Sequence, residues 1–306
     1  MIKRHISNLF NLPITGHADI DFVDIAINAD TQLFIDPCLI EVADDDFSLR
    51  CQQVIQNYFN SLCDVYSKKR YNPEFLCHLG ERNEARLGYG TGTNGKAKTP
   101  QGMDYTLSGL HDLIVREIPL GGVIDIPLMM PRFAEDCMSD MLVNVLYKLF
   151  SEFTISQCKK HGIPTQPIKS SKYYWDDDTH TWGIYKGDAL VVNGQTIILI
   201  PKKYVSTCFY FSTNRFFMSK IATALQKERT TILDGKEIVP RKVDIHISEC
   251  CAYGSVLEAT RIHAQRMPHL LFDYHKDLKN KYQNRAMCDD SLDRLVYSLP
   301  TTQIIA

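Results

Sequence analysis

Apolar positions three and four residues apart run through "DDDFSLRCQQVIQNYFNSLCDVYSKKR", and this period predicts an amphipathic helix. Acids precede it and lysines close it, as the helix dipole favours. Cys51, Val54, Ile55, Tyr58, Phe59, Leu62 and Cys63 share its apolar face. "AEDCMSDMLVNVLYKLFSEFTISQCKK" predicts the longest helix, with Met138, Met141, Leu142, Val145, Leu149 and Phe153 as its core stripe. The same spacing predicts helices over "MDYTLSGLHDLIVRE", "NRFFMSKIATALQKER", "SVLEATRIHAQR" and "LLFDYHKDLKNKYQ", the last two separated by Pro268.

Other stretches read as extended. "DFVDIAINADTQLFIDP" predicts two short strands around Asn28-Ala29-Asp30, and "GGVIDIPLMMP" one more. "KEIVPRKVDIHISE" is extended but divided by Pro240, which lacks a ladder donor. In "GDALVVNGQTIILIPKKYV" two apolar runs flank Asn193-Gly194, which predicts a hairpin with a type I′ turn. Both faces of that hairpin are apolar, so it is expected to be buried on both sides. Its exit delivers Lys202 and Lys203 to opposite faces. Strands and helices mix without regular alternation. The expectation is an α+β fold, a mixed sheet holding the Asn-Gly hairpin and packed against several amphipathic helices. Residues 161–178, with two prolines and an Asp triplet, suggest a boundary or long surface loop. The regions are then 1–165 and 166–306, or one continuous domain.

The 306 residues can bury roughly 75% of the unfolded surface, so no metal or disulfide staple is needed. A net charge of −2 excludes a global pull toward nucleic acid or anionic membrane, so such binding needs a local basic patch. "HKDLKNKYQNR", residues 275–285, offers one: five basic groups, counting the histidine, and a tyrosine; a solvated helix face is its plainer reading. No apolar run approaches the ~20 residues of a membrane helix, and no h-region follows Met1. Ten scattered cysteines read as reduced thiols, hence a cytoplasmic location. Cys158-x-x-His161 and Cys77-His78 come nearest to zinc spacing, and neither has a second half.

Three features carry candidate chemistry. Gly90 to Lys96 fits GxxxxGK, which would set Gly92, Gly95 and Lys96 around a phosphate. Ala97 stands where a hydroxyl should hold magnesium, and no apolar strand precedes. A substrate-covering loop or a plain surface loop are the alternatives. Asp136 and Asp140, with Glu135 before them and Asn144 beyond, project from one side of the predicted long helix. They could bind a metal or simply complement the dipole. Asp36, after an apolar run and before Pro37, is a metal ligand or, more commonly, a turn former. The triplets Asp44–Asp46 and Asp176–Asp178 read as solvated turns.

Asp188 and Lys202 on the hairpin resemble the first and last members of the PD-(D/E)xK nuclease core. There an Asp and a (D/E)-x-K hold Mg²⁺ and polarise the attacking water. Position 200 is Ile, so Asp136 or Asp140 would have to supply the missing acid. The pairing of Asp136–Asn144, in the form D-x-x-S-D-M-x-x-N, with Ile200-Pro201-Lys202 also resembles bacterial proteins of uncharacterised activity. The nuclease resemblance implies a divalent-metal phosphodiester-cleaving enzyme: Asp136, Asp140 and Asp188 on Mg²⁺ or Mn²⁺, with Lys202 beside them. The alternative is a non-catalytic component that binds a nucleic-acid or protein partner through the basic C-terminal helices or the glycine loop.

Overall fold

The computed structural model describes residues 4–68, 72–89, 99–131 and 133–297. Helix α1 (Ile6–Leu9) and a 3-10 turn (His17–Asp19) precede a buried run over 22–26. The first expected strand is reduced there to isolated bridges, His5 to Ala26 and Phe22 to Pro201. The backbone kinks, because Ile25 N donates back to Val23 O at 2.8 Å. The second persists as β1 (Phe34–Ile35), followed by α2 (Pro37–Val42). Asp36 is the turn former of the commoner reading: its Oδ1 accepts from Cys38 N and caps α2.

Helix α3 (Asp46–Ser67) buries the stripe its period predicts, with Cys51 inside and Cys63 half-buried. At 22 residues it exceeds α8 (Glu135–Val145) and α9 (Tyr147–His161), into which the expected longest helix divides at Leu146. Both halves pack on the strand over 172–176; α8 adds contacts to β1 and α3, and α9 to the strand over 188–192. Between α3 and α8 lie α4 (Pro73–Leu76), α5 (Pro100–Leu107), α6 (Gly109–Val115) and α7 (Asp125–Met129). Pro100 starts α5 rather than forbidding it, since a first-turn residue needs no N–H, and Thr99 Oγ1 accepts from Gly102 N. The strand expected over 121–131 is instead α7. Pro127 sits in its first turn, and Asp125 draws in the Gly121 and Gly122 amides.

The stretch expected as boundary or loop holds β2 (Gln166–Pro167) and β3 (Lys172–Asp176). β4 (Thr181–Tyr185), β5 (Asp188–Val192), β6 (Gln195–Ile197) and β7 (Val205–Ser206) follow. The fold is α+β. Its described strands form small antiparallel sheets, ordered β1-β7, β2-β5-β6 and β3-β4, with a further hairpin of β8 (Thr231–Leu233) and β9 (Lys236–Ile238). Asn193 and Gly194 have φ of 49° and 78°, as the type I′ turn requires, and Leu190, Val192 and Ile197–Ile200 are buried. No atom lies within 4 Å of a Cβ placed on Gly194. Gly194→Ala should therefore cost only the backbone penalty, about 1–2 kcal/mol, measured by urea unfolding.

α10 (Thr213–Phe216) runs through a π turn into α11 (Ala222–Arg229). After Pro240 the expected extended stretch is helical, α12 (Lys242–Tyr253). Its inward residues, Ile245 and Glu249, are four apart, while Val243 and Ile247 face solvent. α13 (Val256–Arg266) is capped by Ser255, whose Oγ accepts from Glu258 N. α14 (His269–Tyr282) and α15 (Asp289–Tyr297) complete the described chain. The buried apolar residues form a cluster extending from Ile6 to Val296. No helix among the described residues is long and apolar enough to cross a membrane.

Candidate functional site

Pro201 bridges to Phe22 and turns the chain out of the hairpin, so Lys202 and Lys203 lie in a 3-10 turn rather than on alternating strand faces. Lys202 Nζ donates to His17 O at 2.5 Å and pairs with Asp289 at 2.7 Å. Lys203 pairs with Asp45 and donates to Ser48 Oγ at 3.1 Å. The expected meeting of Lys202 with Asp136, Asp140 and Asp188 is therefore not what the fold builds: the acids beside the two lysines are Asp21, Asp45 and Asp289. Asp21 and Asp45 line a cavity of about 280 Å³ with the lysines, over Phe47 and Phe153. The Asp triplets are not merely solvated: Asp45 caps α3, and Asp177 holds Arg50 in a two-bond fork at 2.5 and 2.6 Å.

The other candidate residues lie elsewhere. Asp188 begins β5 in solvent, opposite Pro167. Asp136, at the start of α8, lies beside Gly88 and close enough to Asp30 and Glu81 to affect their ionisation. Burial, then Glu81 and Asp136 against the pull of Arg86, holds Asp30 up at about 6. Asp140 is half-buried one turn on; its carbonyl accepts from Asn144 Nδ2 at 2.8 Å. No described contact joins Asp136 or Asp140 to Asp188 or Lys202. Among the described residues, no three His, Cys, Asp or Glu side chains are placed to hold a metal ion. Gly92, Gly95 and Lys96 lie outside the described residues.

Three cations gather on Tyr210. The guanidinium centres of Arg215 and Arg285 each lie 4.1 Å from its ring centroid, and Lys281 Nζ lies 5.5 Å away. α10 supplies Arg215; α14 and the turn after it supply Lys281 and Arg285. Cation–π attraction, about 0.5–1 kcal/mol each at exposed sites, gathers these groups without cancelling their charge. None of the three forms an ion pair with a described carboxylate. Asp277, one turn before Lys281 on α14, pairs instead with Lys220 at 2.8 Å. Of the five basic groups in 275–285 only Lys281 and Arg285 join this cluster, and the fold adds two residues that sequence reasoning missed. Tyr210 and Arg215 carry no motif, and only tertiary packing sets them beside α14.

The patch rests on a buried relay. Tyr210 N donates to Tyr282 Oη at 2.9 Å, and Tyr282 Oη donates to Asp36 Oδ2 at 3.0 Å. Ser206 Oγ donates to the same carboxylate oxygen at 3.2 Å. On the other flank of α14, His275 Nε2 meets buried Asp125 Oδ1 at 2.7 Å, which fixes the helix against α7. Burial outweighs these donors and raises the Asp36 carboxyl to about 7, so the acid beneath Arg285 is only partly ionised at neutral pH. The folded state then holds a proton that the unfolded state releases near pH 4. Asp36 stability is full below that pH and is lost as pH rises through about 7. Asp36→Asn should flatten the fall in unfolding free energy between about pH 4 and 7, which urea titrations at several pH values would show.

A family model described as Domain of unknown function (DUF8370) matches residues 11–212, including Asp36, both strand-exit lysines and Tyr210, but not α14. No curated protein matches the chain, and no solved structure matches it. With about two thirds of its residues inside that match, the chain belongs to the DUF8370 family.

Proposed function

We propose that this chain is a non-catalytic component that engages nucleic acid through the Arg215–Lys281–Arg285 cluster on Tyr210. The observation that carries this reading is three cations on one ring, none of them in an ion pair with a carboxylate among the described residues. Such a cluster repels itself in the free protein and is relieved by an anion. Guanidinium groups match phosphate oxygens in paired hydrogen bonds, which favours a phosphate backbone. The patch is local, in keeping with a net charge of −2. The ten free cysteines support a reducing, cytoplasmic setting.

The test is fluorescence anisotropy of a labelled single-stranded oligonucleotide at low salt, with poly-glutamate as competitor. Saturable binding that Arg285→Glu removes and poly-glutamate does not match supports the reading. No binding, or equal competition by poly-glutamate, overturns it; the latter outcome points to an acidic protein partner.

A metal-dependent, nuclease-like phosphodiesterase retains one favouring observation. Burial raises the pKa of Asp30 and Glu81. At Asp30 Arg86 opposes it while Glu81 and then Asp136 add to it, and at Glu81 Asp136 adds to it. The three acids are therefore neighbours whose charge a Mg²⁺ or Mn²⁺ ion would offset. Mg²⁺ often binds through one or two carboxylates and keeps its waters. Mn²⁺ binding by calorimetry, lost in Asp136→Asn, supports this second reading; absence of metal-dependent heat removes it.

A further inference from the structure

Both tryptophans of the chain lie in one place, remote in sequence from the basic patch. Trp175 on β3 and Trp182 on β4 meet edge to face at 5.6 Å, with Phe75 of α4 at 5.2 Å from Trp175. Tyr173 stacks on His78 with centroids 3.7 Å apart and planes 15° from parallel. These rings line a cavity of about 360 Å³, rimmed by Glu74 and His180. Its size is in the range that accepts small organic ligands.

The chemistry of the lining narrows the ligand. Trp175 Nε1 donates to Asn57 Oδ1 and Trp182 Nε1 to Phe75 O, both at 2.8 Å. The indoles therefore have no N–H left for a ligand; Trp175 is buried, and what remains is the part-exposed ring surface of Trp182. Ring surface of this kind offers a stacking face to a flat heterocycle. Burial and then Arg82 lower the pKa of His78, so the His78–Tyr173 stack is a neutral pair that a further ring can extend. Glu74 lines the rim, and its carboxylate has no ion-pair or hydrogen-bond partner among the described residues. A carboxylate accepts best from two adjacent N–H groups, which among the common bases guanine presents at its ring and exocyclic nitrogens.

We infer that this aromatic cavity binds a guanine base, held by stacking on the Tyr173 and Trp182 faces, with its N–H edge turned to the Glu74 carboxylate. The site is separate from the Tyr210 cluster and does not depend on the reading of that cluster.

Tryptophan fluorescence, excited at the red edge of the indole band, reads occupancy directly because both indoles line the cavity. Guanosine and uridine are the probes; neither carries phosphate, so the basic patch does not contribute. Guanosine should give a saturable change, and uridine should bind roughly 10-fold or more weakly. Tyr173→Ala should weaken guanosine by roughly 10-fold, as loss of a stacking face does. Glu74→Gln, an exposed change that leaves the hydrophobic core untouched, should erase the preference over uridine. No saturable guanosine response, equal response to both nucleosides, or an unchanged preference in Glu74→Gln would overturn the assignment.

Discussion

Asp24→Ala is expected to lower the unfolding free energy by about 3 kcal/mol or more and to detach α15. Asp24 is wholly buried, and its carboxylate accepts from Ser7 N at 2.9 Å, from Ser7 Oγ, and from Tyr297 Oη at 2.9 Å. Its backbone continues the network. Asp24 N donates to His17 Nε2 at 3.1 Å, which leaves His17 Nδ1 to donate to Asp293 Oδ1 at 2.6 Å. His5 Nδ1 donates to Asp24 O at 2.8 Å. Alanine would strand a buried amide and two hydroxyls, each costing about 1–3 kcal/mol when unsatisfied. The damage should concentrate at α15, which Tyr297 and Asp293 tie to the front of the chain and Asp289 ties to Lys202. Urea unfolding and amide exchange over residues 289–297 measure both effects. Near-wild-type stability with unchanged protection of α15 would show that the network does not hold the helix.

The same network explains how much of the molecule was legible in the sequence. The Asn193-Gly194 turn was, because the two residues that turn the chain also name the turn type. α3 was, because its stripe repeats over 22 residues. α7 and α12 were misread, since Val-Ile-Asp-Ile and Val-Asp-Ile-His-Ile alternate as a strand does. In α12 the decisive inward residue is Glu249, which charge alone would place outside. It is buried because His263 Nε2 and Arg229 meet its two oxygens. The cleft at the strand exit was legible as lysines but not as their partners. Lys202 meets Asp289 from 87 positions away, and a single long-range contact leaves no period to read. Tyr210 and Arg215 were invisible for the same reason, whereas the basic run 275–285 that joins them is visible in any reading of charge.

Replacing Arg215 and Arg285 together by Gln is expected to weaken oligonucleotide binding by roughly 10- to 100-fold at low salt, as losing two phosphate contacts does. The two guanidinium groups share one ring, so their contributions should not add independently: with either one left, Lys281 and the remaining arginine still present paired charge. Gln keeps hydrogen-bonding capacity and most of the stem, so a loss reports charge rather than packing.

The most direct measurement is the slope of log binding constant against log salt for wild type and for that double variant. Each neutralised phosphate contributes about −0.7 to the slope on a single strand. A wild-type slope near −2, falling to about −0.7 in the double variant, is the predicted result. Equal slopes in the two proteins, or oligonucleotide binding indifferent to salt, would contradict it.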